Sequence, residues 1–209
     1  EGAPELRWWS EPDRGVVEAV NKGLQRAHGA IGAIQSSDDG YLPDAVAKAV
    51  EALAADPELG FVFGDVVKID AEGREILRTQ FPPFSLERML SLQLWIPQPS
   101  TFFRLDLARE LGGWREEAPY AADTDLWLRM AFRCGASKLN LLMAKRRMHE
   151  GQRDTKGDLV LRDYSKMLDD CEELKRAPEE LRRAAQAGRL LQMNRYRPGD
   201  PAREKRRRL

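Results

Sequence analysis

The apolar pattern of this 209-residue chain predicts an α/β fold, a mixed sheet flanked by helices and followed by a helical end. Three observations carry that expectation. Helical and strand-like periods alternate from Val16 to Ile69. The turn sequence Asp70-Ala71-Glu72-Gly73 then interrupts the alternation with a hairpin, which adds antiparallel pairing to any parallel core. From about Gly157 to Arg195 only helical spacing remains.

The elements follow in order. Asp13 or Gly15 opens a helix to about Ala27, with Val16, Val17, Val20, Leu24 and Ala27 along one face and Gly29 as its stop. Ala30-Ile31-Gly32-Ala33-Ile34 is an apolar run of strand length. Asp44 is the expected cap of a second helix, whose Val46, Ala49, Val50 and Leu53 recur until Asp56-Pro57 closes it. Phe61 to Ile69 is strand-like, and the turn after it leads into a partner strand, Glu75 to Thr79. Beyond Pro82-Pro83 a short helix lies near Ser85 to Leu92, and Ser100 to Arg104 reads as another strand. Asp123 to Cys134 is a helix with Leu126, Trp127, Met130, Ala131 and Cys134 turned inward. Ser137 to Met148 is extended, and two amphipathic helices occupy the segment up to Arg195.

Composition narrows the class. Apolar residues make up 42% and charged residues 33%, as in an ordinary globular protein, and Lys plus Arg (34) equals Asp plus Glu (34). No overall field therefore argues for nucleic acid. The basic end Arg203-Glu204-Lys205-Arg206-Arg207-Arg208 reads either as a contact with anionic lipid or as a solvated terminus. Cys134 and Cys171 are far apart and form no CxxC unit, so neither a zinc site nor a disulfide framework is indicated, and free cysteines fit a reducing compartment. No apolar run approaches the ~20 residues of a spanning helix, and no signal-peptide pattern opens the chain. A cytoplasmic protein is expected, soluble or held peripherally at the inner face of a membrane.

Candidate chemistry sits at several places. Asp38-Asp39, after the apolar run, is either a turn or a pair of oxygen ligands for a hard cation. Asp123 and Asp125 open a helix, where acids favour the dipole, and an ionised carboxylate there can also act as a general base. Two positions apart, they do not share a face, so one can turn to a cleft while the other holds structure. His149 follows a strand-like run and is either a surface residue or a further metal ligand. Gln98-Pro99-Ser100-Thr101 is a polar loop fit to line a sugar pocket, and Arg146, Arg147 and Arg153 either clamp a diphosphate or solvate a strand edge. Trp95, Phe102, Phe103, Trp114 and Trp127 offer faces to a sugar or fill the core.

Taken together these residues resemble the family 2 glycosyltransferases of the GT-A fold. The resemblance rests on Ser10-Glu11-Pro12-Asp13-Arg14-Gly15, Asn21-Lys22-Gly23, Ser37-Asp38-Asp39, Phe63-Gly64-Asp65, Ile96 to Arg104, Gly112-Gly113, and Asp123-Thr124-Asp125-Leu126-Trp127-Leu128-Arg129. It implies a GT-A catalytic portion over 1–155 and a helical extension with a basic tail over 156–209. It also implies that the family's N-terminal nucleotide-binding part, which precedes the first of these motifs, is missing from the sequence in hand.

The activity implied is inverting transfer of a sugar from a nucleotide-sugar donor to a glycan or lipid-linked acceptor, in cell-surface polysaccharide or glycolipid synthesis. The alternative is a non-catalytic remnant that serves as a binding or interaction module. Carried over by position, Asp123 is the base, Asp39 and His149 hold Mn²⁺ or Mg²⁺, and Asp38, Asp125, Gln98, Ser100, Asp13 and Arg14 contact substrate.

Overall fold

Leu59–Ile69 is the central strand of a six-stranded sheet in the computed structural model, which describes residues 6–149 and 156–195. In chain order the elements are α1 (Val16–Arg26), β1 (Ile31–Ala33), β2 (Gly40–Tyr41), α2 (Ala45–Ala55), β3 (Leu59–Ile69), β4 (Glu75–Thr79) and α3 (Leu86–Leu90). There follow β5 (Thr101–Arg104), α4 (Leu105–Glu110), α5 (Ala122–Arg133), β6 (Gly135–Arg147), α6 (Gly157–Asp170), α7 (Glu172–Lys175) and α8 (Glu179–Arg195). The strands lie in the order β1-β5-β3-β6-β2, with β4 paired to β3 off that path. β3 and β6 run parallel, and the remaining pairs are antiparallel. The expected mixed sheet is therefore present.

β3 is apolar along most of its length because both of its faces are covered. Phe61 and Phe63 turn toward one layer, where Phe61 and Phe103 meet the ring of Trp127 at centroid distances of 5.7 and 5.3 Å. Val62 turns to the other layer and packs with Phe102 and Met143 under Ala45, Ala49 and Leu53 of α2. The helical end packs on the first of these layers through Tyr164, Met167, Leu168, Cys171 and Leu174. α8 fits there because Gly188 has no side chain: a Cβ at that position would lie 2.0 Å from the carbonyl oxygen of Leu90.

The β3–β6 register shifts between Phe63 and Asp65. Gly64 permits that shift, since a Cβ there would stand 2.3 Å from Met143 Sδ and 2.7 Å from the Leu141 carbonyl. Just past it, the Asp65 carboxylate accepts from the Phe81 N–H at 2.9 Å and pairs with Lys138 Nζ at 3.0 Å. The pair ties β3, β6 and the loop after β4 together where water is largely excluded.

Several local expectations needed correction. Asp44 has φ 66 and makes no side-chain cap, so it enters α2 in the left-handed conformation. Gln98–Ser100 is a 3₁₀ turn, which moves the start of β5 to Thr101. The brief α4 and β2 carry too few residues to show a period. The C-terminal helical segment holds three helices, broken at Cys171 and at Pro178. Arg153 and the basic end of the chain lie outside the described residues.

Two glycines test this packing. Gly64→Ala is expected to lower unfolding stability by about 1–3 kcal/mol, the usual range for overpacking. Gly23→Ala in α1, where a Cβ meets nothing within 4 Å, should raise it by about 0.5–1 kcal/mol. Denaturant titration of both variants checks this, and an unchanged midpoint for Gly64→Ala would contradict the close β3–β6 approach.

Candidate active site

Strand register gathers the first acidic pair. β2 pairs antiparallel with β6, Gly40 opposite Lys145 and Tyr41 opposite Ala144. Running back from β2 and onward along β6 therefore brings Asp38 and Asp39 beside Arg146, Arg147 and His149. Arg147 secures the junction. Its N–H donates to Asp39 Oδ1 at 2.9 Å and its Nε to the Asp38 carbonyl at 3.2 Å. Its Nη1 donates to the carbonyls of Asp70 and Ala71 at 2.9 and 2.8 Å.

These contacts sort the two carboxylates. Asp38 Oδ2 lies 3.1 Å from His149 Nε2, with both side chains partly open to solvent. Asp39 is half-buried, and burial pushes its carboxyl above the ordinary range, opposed by the Arg147 N–H and reinforced by the neighbouring Asp38 charge. The imidazole thus stands against Asp38, where the sequence had suggested Asp39 as its metal-binding companion.

Helix α5 supplies the second acidic pair and separates it. Asp123 Oδ1 accepts from the Thr124 N–H at 2.7 Å and from its hydroxyl at 3.3 Å. Burial still pushes this carboxyl up, against those hydrogen bonds and the field of Arg146. Asp125 turns the other way and is 2% exposed. Its Oδ2 accepts from Arg129 Nε and Nη2 at 2.9 and 2.6 Å. Arg129 also donates to the carbonyls of Leu111 and Gly113 at 2.5 and 2.6 Å. A carboxylate so enclosed, one of its oxygens taking two guanidinium N–H groups, anchors α5 to the preceding turn. Asp125 is therefore removed from the candidate substrate contacts.

A cleft of about 650 Å³ collects what remains: Asp38, Asp39, Asp123, His149, Gln98 and Arg146 all line it. The Arg146 guanidinium stacks over the Trp95 ring, 5.0 Å from its centroid. Gln98 Nε2 donates to the Ile34 carbonyl, so its amide also braces the wall. Ser100 is fully buried and donates to the Gly64 carbonyl at 2.8 Å, beneath the cleft and out of reach of a ligand. Asp13 and Arg14 are exposed and absent from the lining; Asp13 accepts from the Gly15 N–H, and Arg14 pairs with Glu18 and Glu116 at 3.0 and 2.8 Å. Both hold the start of α1. Phe102, Phe103 and Trp127 are core, while Trp95 and Trp114 reach the cleft.

The donor set suits a divalent cation in part. Adjacent ligands on an octahedral ion with ~2.1 Å bonds stand about 3 Å apart. The 3.1 Å between Asp38 Oδ2 and His149 Nε2 matches that separation. Such ions accept one or two protein ligands and take the remainder from phosphate and water. Among the described residues, no group of three or more His, Cys, Asp or Glu is gathered for a metal.

The opposite contribution to the cleft was not anticipated. Val160 and Tyr164 of α6, with Gln192 and Arg195 of α8, line it as well. Their only sequence signal is a polar Gln192 in register with Ala184, Ala185 and Gly188 on the buried face of α8.

Comparison with known proteins bears on family and fold. Residues 8–110 match the model of Glycosyl transferase family 2. An uncharacterized glycosyltransferase of Mycobacterium tuberculosis is 35% identical over 133 residues, covering 61% of this chain and 48% of that protein. The chain thus spans about half the length of the relatives it matches. Staphylococcus aureus TarS 1-349, solved with UDP-GlcNAc, superposes with a TM-score of 0.61 at 16% identity, over 86% of this chain and 53% of that one. The mannosyltransferase PcManGT of Pyrobaculum calidifontis, solved with GDP-Man and Mn²⁺, gives 0.55 at 20% identity, over 86% and 50%. At these identities the structural likeness is one of fold, the GT-A arrangement of a mixed sheet flanked by helices. With that sheet and the motifs along residues 8–110, the chain belongs to glycosyl transferase family 2.

Proposed function

We propose that this cleft transfers a sugar from a nucleotide-sugar donor to an acceptor hydroxyl, with inversion at the sugar carbon. The observation that carries the reading is Asp123, a desolvated carboxylate lining the same cleft as Asp38, Asp39 and His149. A carboxylate whose proton affinity is raised by burial is, in its ionised form, a better base. Asp123 takes the proton of the acceptor hydroxyl, whose oxygen attacks the sugar carbon as the bond to the diphosphate breaks on the far side. Direct displacement of this kind needs one base and no nucleophilic carboxylate.

Arg146, fixed over Trp95, lies where it can meet charge on the leaving diphosphate. Asp38, Asp39 and His149 would hold Mn²⁺ or Mg²⁺, which when bound supplies further neutralisation of that charge. Support for donor and ion comes from the two structural neighbours, one solved with UDP-GlcNAc and one with GDP-Man and Mn²⁺.

A glycan or lipid-linked acceptor, a role in cell-surface polysaccharide or glycolipid assembly and a cytoplasmic or membrane-peripheral location belong to the same proposal, by family analogy. Among the described residues no helix is long and apolar enough to cross a membrane. The division into a catalytic portion (1–155) and a helical extension (156–209) is retained as part of this reading.

Replacing the base separates chemistry from binding. Asp123→Asn should reduce transfer at least ~100-fold while donor affinity, read by calorimetry with Mn²⁺, stays within about twofold. The same change should raise the melting midpoint at pH 7. A carboxyl raised in the folded state favours folding below its unfolded pKa, and that contribution fades as pH rises through the folded pKa. Near-normal turnover of the variant would overturn the assignment, and absence of donor heat from the unaltered chain would favour the binding-module reading.

In the pH profile, the acid limb of transfer should lie above the ordinary Asp value of about 3.9. Thr124→Val, which removes a hydrogen bond to the ionised form, should move that limb higher still; a limb at or below the ordinary value would exclude Asp123.

His149→Ala should raise the Mn²⁺ concentration needed for half-maximal donor binding about tenfold, the usual order for losing one metal contact. An unchanged Mn²⁺ requirement removes the imidazole from the ion's ligands.

A further inference from the structure

We propose that the α6–α8 side of the cleft selects the acceptor, with the Gln192 amide reading one hydroxyl of a pyranose; the name of the ligand rests on the sugar-transfer reading above. Two kinds of wall meet in this cleft. Residues at the ends of β2 and β6 and at the start of α5 supply carboxylates, an imidazole and the Arg146 guanidinium. Val160, Tyr164, Gln192 and Arg195 supply apolar and aromatic surface with one amide and one cation, adjoining Trp95 and Tyr120. Aromatic and apolar faces with few convergent polar groups are what a sugar ring requires, since its C–H faces pack on rings and its hydroxyls need partners.

Gln192 is the polar group that the fold leaves unfinished. It is 5% exposed, and its Oε1 is buried with no hydrogen-bond partner among the described residues. A buried carbonyl oxygen without a donor is unfavourable, and such an atom in a cleft wall marks a place where a ligand donor improves matters. The terminal torsion of a glutamine is broad, so the amide turns toward the cleft without movement of the helix. The helix itself is held: Gly188, one turn earlier, sits against the Leu90 carbonyl, to which the Tyr164 hydroxyl also donates at 3.2 Å.

The test uses the whole chain, wild type and Gln192→Leu, with methyl pyranosides of glucose, galactose, mannose and N-acetylglucosamine, without donor or metal. Saturation-transfer NMR should show at least one of them bound through its ring protons. Gln192→Leu should weaken that glycoside about tenfold, the effect of losing one hydrogen bond, while its melting midpoint stays equal or rises. A purely structural glutamine would instead lower the midpoint and leave affinity alone. Equal glycoside affinity in the two proteins, a lowered midpoint, or no glycoside bound by wild type overturns the proposal. Titration with UDP and GDP plus Mn²⁺ separates it from its premise. Glycoside binding with no nucleotide binding would uphold the selecting wall and remove the transfer reading, and nucleotide binding with no glycoside binding would do the reverse.

Discussion

Arg147 is the contact on which the arrangement of the cleft depends. Through one backbone N–H and its guanidinium it fastens the Asp38-Asp39 turn, the last residue of β6 and the β3–β4 turn to one another. Three segments distant in sequence are thereby brought to one rim of the sheet. The guanidinium suits this task because its planar set of donors addresses several carbonyls at once. With the turn held, Asp38 meets His149 and Asp39 is drawn into partial burial, where loss of water raises its carboxyl.

A similar division governs α5. Acids two positions apart on a helix must diverge, and here one is neutralised by Arg129 in the interior while the other faces the cleft without a salt bridge among the described residues. The buried pair orients the helix, and the helix orients Asp123. Breaking such a pair from one side leaves an uncompensated charge, which is why Asp125 belongs to the scaffold even though it is part of the family motif. Arg146 adds a positive field between Asp39 and Asp123 and is itself steadied by Trp95.

Much of this was legible in the chain. The apolar run of β3, the turn at Asp70 to Gly73 and the inward stripe of α5 are local patterns, and local patterns survive folding when they agree with the whole. The divergence of Asp123 and Asp125 also followed from helical geometry alone. What was hidden depends on partners far away. Gly64 is required by Met143, Ser100 is buried by its bond to the Gly64 carbonyl, and Arg147 acquires its role from the β2–β6 register. The amphipathic pattern of α6 and α8 announced burial without saying against what, so Gln192 in the cleft wall could not be foreseen. Asp13 and Arg14 misled because a family motif was read as a site, whereas its residues brace the start of α1.

Under the proposed function, Asp38, Asp39, Asp123 and His149 surround one place where a cation-bound diphosphate would sit. Paramagnetic broadening of backbone amide signals by Mn²⁺ with UDP or GDP tests it most directly. The amides of these four residues should broaden first, while those of Val46 and Val50 on the exposed face of α2 stay sharp. Broadening spread evenly over the molecule, or centred away from these four, would contradict the account.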